Sequence, residues 1–491
     1  MASGNFLAFD LGAESGRAVL GTLSGSHLSL EEKHRFANPT GRINGHLHWN
    51  LLSQWEELKS GLRKAAHDQP LLHGIGVDTW GVDFGLVAED GSILGNPFHY
   101  RDSRTDGMMA KAFQRVPREK VFEATGIQFM EINSLFQLLA MKETSPSLLQ
   151  CAQTLLFVPD LFNYLFTGVR KSEFSIASTS QMYDPRAKTW ATGMLEALGL
   201  PTQIFPQIVA SGTLLGPLRQ DVCNECSVGP VPVIAPACHD TGSAVAAVPA
   251  EGSDWCYISS GTWSLMGVEL DQPVINAKAL KYNYTNEGGV GGTIRFLKNI
   301  AGLWLIQELR RHWNKEGHDH TYSELTEMAG RARPLEYIVD PNYKPFLSPD
   351  NMPAKVEQFC HETKQHVPNS RGEYVRACLE GLALTYRKTL DGLEDVLGRK
   401  IAVIHIVGGG SQNNLLNQMT ADACARPVVA GPVEATAVGN ILVQAMATGQ
   451  IKSLADARAV VRASFDVKRF EPQNRKPWEQ AYQRYRELAK D

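Results

Sequence analysis

Cysteine is scarce in this chain, at eight of 491 residues, too few for a disulfide scaffold, so a reducing compartment is expected. Long apolar runs are missing as well. No segment approaches the ~20 consecutive apolar residues that a bilayer-spanning helix needs. The opening, MASGNFLAFDLGAESGR, has neither the basic leader nor the unbroken apolar stretch of a secretory signal, and sets Asp10 where that stretch would run. Together these absences predict a cytoplasmic protein. There is no excess charge of one sign: 48 Lys and Arg face 52 Asp and Glu, for a formal net charge of −4. No electrostatic footprint for nucleic acid or an anionic membrane follows from that balance. Metal-ligand clusters are thin. Cys223 and Cys226 form one CxxC with no second pair at useful spacing, and a structural zinc site needs four ligands. The pairs His46/His48 and His318/His320 read as solvated loop residues. Low-complexity tracts and heptad repeats are also absent.

The chain is longer than a single hydrophobic core usually organises, since cores stop growing near roughly 250–300 residues, and two domains are expected. Phe6–Phe9, Ala18–Leu23 and Ser29–Phe36 read as a strand meander. Leu51, Trp55, Leu58, Leu62 and Ala65 recur at spacings of four and three, the mark of an amphipathic helix. A strand over Gly74–Asp78 and a hairpin over Phe84–Leu94, turning at Asp90-Gly91, follow. After helix-rich sequence the strand Val231–Ala235 leads into Cys238-His239-Asp240-Thr241. Trp255–Ser259, the turn Ser260-Gly261-Thr262 and Trp263–Val268 then repeat the opening layout. This echo predicts two related α/β halves, 1–246 and 247–491. In the second, a helix over Val375–Leu397 leads to the strand Ala402–Val407, which stops at Gly408-Gly409-Gly410. A strand at Val428–Ala430 and a helix over Glu434–Ala447 come next.

Four segments look like pieces of one phosphoryl-transfer site. In Asp10-Leu11-Gly12-Ala13-Glu14-Ser15-Gly16-Arg17, Gly12 and Gly16 permit a tight turn whose N–H groups can cradle phosphate, and Asp10 is placed to hold Mg²⁺. A plain Gly/Ser hairpin turn would read the same way. In His239-Asp240-Thr241, a carboxylate at the end of a buried strand can accept a proton from a sugar hydroxyl; the competing role for Asp240 is a helix cap. Ser259-Ser260-Gly261-Thr262 offers a second phosphate-facing turn. Gly408-Gly409-Gly410 lets a flat nucleotide lie against backbone with no Cβ in the way, or serves as a hinge. The order of acidic turn, strand-end Asp, second turn and glycine platform is the layout of actin-like ATPases and their sugar-kinase relatives.

The N-terminal turn, the His239-Asp240-Thr241 segment, YISSGTWSLMG and HIVGGGSQNNLLNQMTADA together resemble the FGGY family of carbohydrate kinases. Within it, DTWGVDF around Trp80, YRDSR around Arg101, TGIQF around Gly126 and LKNIAGLW around Asn299 are similar to the members that act on L-rhamnulose, and the likeness extends over essentially the whole chain. The resemblance implies two actin-like, ribonuclease H-like domains, a sugar-binding N-terminal one and a nucleotide-binding C-terminal one, with the active site in an interdomain cleft. It implies ATP contacts from Ala13, Glu14, Ser15, Gly16, Arg17, Thr262, Gln307 and Gly409. Sugar contacts are implied for Gly81, His239, Asp240, Thr241 and Asn299, with Asp240 the base and Asp10 and Asp240 beside Mg²⁺. Glu14 repels phosphate unless it turns to solvent or to Arg17. The activity implied is ATP-dependent phosphorylation of L-rhamnulose at its 1-hydroxyl in L-rhamnose catabolism. Rival readings are a kinase for L-fuculose or L-xylulose and a catalytically silent sugar sensor. An actin-like chaperone would need a client-binding domain, and nothing beyond residue 450 resembles one.

Overall fold

The computed structural model describes residues 3–489, which form two compact units. The first comprises residues 3–249, 269–297 and 435–465; the second comprises residues 250–268, 298–434 and 466–489. Both units are therefore assembled from separate stretches of chain.

The first unit is built on a six-stranded sheet. Ser3–Leu11, Ser15–Ser24 and His27–Ala37 form the antiparallel meander that the sequence predicts, each a little longer than its apolar centre. Gly74–Thr79 joins Ser3–Leu11 in parallel, Pro232–Ala235 joins Gly74–Thr79 in parallel, and Thr213–Pro217 closes the edge antiparallel. A parallel neighbour requires a long crossover, and the helix Leu51–Asp68 lies in the first of these. Its apolar positions Leu51, Leu58, Leu62 and Ala65 are buried as their spacing predicts, and the Asn50 side chain caps it by accepting the Ser53 N–H at 3.1 Å.

Gly74–Thr79 is buried throughout because helices cover both faces of the sheet. Gly61 of Leu51–Asp68 sits over Ala18 and Phe9. On the opposite face, Ile441 of the helix Ala435–Ala447 closes on Gly21, and Asn440 closes on Gly76. The same helix packs against Asp240–Ala246, where Gly439 faces the Ser243 carbonyl so closely that a Cβ would overlap it. Gly439→Ala is expected to destabilise the protein by ~1–3 kcal/mol, the usual scale of overpacking. Thermal denaturation checks this, and an unchanged midpoint would mean that the two helices part without cost.

In the second unit Trp255–Ser260 pairs antiparallel with Trp263–Leu270 and parallel with Val403–Val407. Val428–Ala430 then adds in parallel and Lys468–Phe470 antiparallel. Outward from its central strand this repeats the pairing of the first unit: antiparallel on one side; parallel, parallel, antiparallel on the other. The strand–turn–strand echo seen in the sequence is thus an echo of whole sheets. The long helix Arg371–Leu397 begins at Ser370, whose side chain accepts the Glu373 N–H, and ends at Gly398 with φ 66°.

The expected hairpin over Phe84–Leu94 is different in the structure. Phe84–Val87 pairs with Thr154–Phe157, far along the chain. The turn at Asp90-Gly91 does form, with Gly91 at φ 95° and the Asp90 carboxylate accepting the Ser92 N–H, but the returning chain makes only an isolated bridge at Ile93. Gly95, at φ 86°, and Pro97, which has no N–H to offer a ladder, end it. All eight cysteines are free. Among the described residues no helix is long and apolar enough to cross a membrane.

Candidate active site

Three carboxylates gather at element ends in the first unit. Asp10 and Asp78 are register partners on adjacent parallel strands, and Asp240 is the first residue of the helix Asp240–Ala246. The Cys238-His239 segment is tied to the end of the strand Gly74–Thr79, because the Thr79 N–H donates to the Cys238 carbonyl at 2.9 Å. Strand ends are where such groups belong: backbone pairing has stopped, and side chains on adjacent strands converge. Asp10 accepts the Arg17 guanidinium at 2.6 Å, and the two are also register partners across the first hairpin. Asp78 is fully buried, with one oxygen accepting from Asn440 at 2.6 Å. Burial, then the nearby charges of Asp10 and Asp240, push its carboxyl well above the usual range.

Asp240 is 30% exposed along its side chain. Burial of the carboxylate and the charge of Asp10 raise its pKa, while His239 opposes them. A raised pKa suits a base that must take a proton near neutral pH. The N-cap position of the helix belongs to His239, which makes no side-chain cap bond; the Asp240 carboxylate instead accepts from the Thr241 N–H at 2.5 Å and the Thr241 hydroxyl at 3.1 Å.

His239 stands in a buried chain of polar side chains. Its Nε2 lies 3.4 Å from Asp240, its Nδ1 lies 3.3 Å from Glu287 and 3.1 Å from Arg295, and Glu287 and Arg295 are 3.2 Å apart. Arg295 is fully buried and also donates to the Gly288 carbonyl at 2.7 Å. Gly81 belongs to the same cluster, since a Cβ there would come within 3.3 Å of His239 Nε2. Of the residues implied for sugar, Gly81, His239, Asp240 and Thr241 are thus brought together in the first unit. Asn299 lies on the strand Ile294–Ala301, in its second-unit portion.

The turn expected to face phosphate closes by a Gly12 N–H to Ser15 carbonyl bond of 2.9 Å. Asn38, just past the strand His27–Ala37, braces it by donating to the Gly12 and Glu14 carbonyls. Ala13 and Ser15 are partly exposed, Gly16 packs under the Phe36 ring, and Glu14 points to an exposed position while Arg17 pairs with Asp10.

The second unit assembles the remaining pieces. The helix Trp304–Lys315 docks its start on the second turn, with the Leu303 N–H donating to the Gly261 carbonyl and the Trp304 N–H to the Thr262 carbonyl, so Gln307 stands one helical turn above Thr262. Gly408 and Gly410 pack on Ser260, and a Cβ on Gly410 would overlap its hydroxyl. Gly409 alone of the three faces open space, and Gln307 Oε1 is buried without a hydrogen-bond partner. An open glycine face and an unmatched polar oxygen in the same unit suit a nucleotide. Among the described residues no group of three or more His, Cys, Asp or Glu is placed to hold a metal by itself. The candidate donor set is instead the nearby pair Asp10 and Asp240, and two carboxylates are what Mg²⁺ takes together with several waters and substrate phosphates.

Three groups in this neighbourhood escape a reading of the sequence. Asp78 carries one available signal, a charge inside the apolar run Gly74–Thr79; Glu287 and Arg295 carry none, because they are remote in sequence from His239. Trp80 packs on Trp49 with ring centroids 4.0 Å apart and donates to Asp83 at 3.0 Å, while Arg101 lies over the Tyr100 ring at 5.2 Å.

Paired α/β units, one carrying converging carboxylates and the other glycine turns, define a two-domain phosphotransferase fold. Solved structures agree on the fold: a xylulose kinase from Lactobacillus acidophilus superposes with a TM-score of 0.81 at 15% identity, covering 99% of this chain and 96% of that one. A glycerol kinase from Plasmodium falciparum gives 0.79 at 14%, covering 98% and 97%. Residues 5–247 match the N-terminal domain of the FGGY family of carbohydrate kinases and residues 256–448 its C-terminal domain. The chain belongs to this family and is a carbohydrate kinase. It is 44% identical over 478 residues to a rhamnulokinase of Bacteroides thetaiotaomicron, covering 97% of this chain and 98% of that one. To a rhamnulokinase of Oceanobacillus iheyensis it is 40% identical over 463 residues, covering 94% and 97%.

Proposed function

We propose that the protein transfers the γ-phosphoryl group of ATP to the 1-hydroxyl of L-rhamnulose, giving L-rhamnulose 1-phosphate and ADP in the catabolism of L-rhamnose. The observation that carries this reading is full-length identity of 38–44% to rhamnulokinases over at least 94% of the chain. The enzyme acts in the cytoplasm on a small sugar and ATP.

A primary hydroxyl is a poor nucleophile near neutral pH, so the protein must align it with the γ-phosphorus and accept its proton as the new bond forms. Asp240 takes that proton. His239, Thr241, Gly81 and Asn299 hold the sugar, and His239 keeps Asp240 aimed. Ala13, Ser15, Gly16 and Thr262 offer N–H and hydroxyl groups to phosphate oxygens, and Gln307 and Gly409 receive the nucleoside. Glu14 takes part through its backbone and Arg17 through its grip on Asp10. Asp10 and Asp240 would hold Mg²⁺ beside the phosphates, and the ion would supply charge neutralisation at the transferring group.

A coupled assay of ADP release tests the reading. ADP should appear at a substantial rate only when L-rhamnulose is present with ATP and Mg²⁺. Release that no sugar stimulates would favour the sensor alternative.

A further inference from the structure

The short helix Phe174–Ser178, together with the Thr179 that follows it, presents three hydroxyls to three separate stretches of the first unit. Ser175 Oγ accepts the His239 N–H at 3.0 Å, Ser178 Oγ accepts the Gly288 N–H at 2.7 Å, and Thr179 Oγ1 accepts the Val82 N–H at 3.2 Å. Those stretches carry His239 and Asp240, Glu287, and Gly81. Each hydroxyl is fixed as an acceptor because its own proton is committed elsewhere: Ser175 donates to Glu173 at 2.5 Å, Ser178 to the Ser175 carbonyl at 2.8 Å, and Thr179 to the Ile176 carbonyl at 2.8 Å. All three side chains are buried, at no more than 4% exposed, so an N–H that loses its partner there has no water to turn to.

Two further features point the same way. Glu173, at the head of the helix, also accepts the Cys238 N–H at 3.0 Å, giving the segment before Asp240 two adjacent backbone anchors from one element. Val82 has φ 68°, a conformation that is costly for a β-branched residue and persists only where the surroundings impose it. Its N–H is held by Thr179 and its carbonyl by the Ser134 hydroxyl at 2.5 Å. Such strain sits next to Gly81, the residue nearest His239 Nε2.

We propose that Ser175, Ser178 and Thr179 are positioning residues of the sugar site, a single helical turn whose three side-chain-to-backbone bonds set where Gly81, the His239-Asp240 pair and Glu287 stand relative to one another. The inference rests on the reading of Gly81, His239 and Asp240 as sugar-facing.

Thr179→Val removes the acceptor at nearly constant volume, Thr179→Ser keeps it, and Leu195→Ala, at a buried position of the separate helix Thr192–Ala197, serves as a purely structural comparison. Thr179→Val should raise the KM for L-rhamnulose on the order of tenfold, the effect of one unmatched buried N–H, and leave the KM for ATP unchanged. Thr179→Ser should restore the sugar KM, and Leu195→Ala should lower the melting temperature with both KM values intact. Should Thr179→Val not fold, Ser178→Ala, which frees the Gly288 N–H and the Ser175 carbonyl, carries the same expectation. A lowered melting temperature with a wild-type sugar KM, or equal rises in both KM values, overturns the proposal. Asp240→Asn measured alongside separates the two levels: lost turnover there with wild-type sugar KM in the hydroxyl variants sinks the positioning role and leaves the site reading standing. Normal turnover in Asp240→Asn removes the site reading and the positioning role with it.

Discussion

Asp240→Asn is expected to lower kcat by a factor of at least ~10², the scale of a lost general base, while the protein still folds and binds ATP. The substitution keeps the shape of the side chain and an oxygen that can accept from the Thr241 N–H, so the start of the helix Asp240–Ala246 retains its local bond. What disappears is the ability to take the proton of the sugar hydroxyl. It also removes a negative charge whose ionised form burial and Asp10 disfavour, so the melting temperature should not fall. Steady-state kinetics with a melting curve decide the matter. Near wild-type turnover with unchanged melting would reduce Asp240 to a residue that merely opens a helix.

The second large effect concerns sugar choice. A site whose buried polar groups pair with particular hydroxyls rejects an epimer because each mismatch leaves a donor or acceptor dry, at about 1–3 kcal/mol. His239 is held between Asp240 on one side and Glu287 and Arg295 on the other, so it cannot swing to follow a displaced hydroxyl without breaking that chain. Two mismatches at ~1 kcal/mol each give roughly 30-fold discrimination, and more at the upper end. L-Rhamnulose should therefore lead a ketose panel in kcat/KM, with L-fuculose and L-xylulose behind it and glycerol very poor. A clear preference for L-fuculose or L-xylulose would remove the substrate assignment and leave the kinase assignment in place.

The parts of this molecule that a sequence reader can see are those where chemistry and local pattern coincide. Asp10 lies at the end of a short apolar strand and Asp240 opens a helix soon after one, so strand, end and acid can be read in one glance. The triple glycine after Val403–Val407 is legible for the same reason. Asp78 has the same surroundings but gains its meaning from register: it stands opposite Asp10 only because Gly74–Thr79 pairs in parallel with Ser3–Leu11. The hairpin expected over Phe84–Leu94 went astray because a turn signal is local, whereas the partner strand, Thr154–Phe157, lies about seventy residues on. Ser175, Ser178 and Thr179 look like any small polar residues in a chain; their roles come from backbone N–H groups that only the tertiary fold delivers. The same holds for the return of 269–297 and 435–465 to the first unit. Asn440 and Gln444, which bond Asp78 and the Leu7 carbonyl, arrive by that route.

The most direct test of the central claim is a phosphorus NMR spectrum of the reaction of the purified protein with ATP, Mg²⁺ and L-rhamnulose. The account predicts one new phosphomonoester resonance, coupled to the two protons of the sugar's C1 methylene and growing in step with ADP. Inorganic phosphate in place of the ester, an ester at another carbon, or an unchanged ATP spectrum at saturating sugar would contradict it.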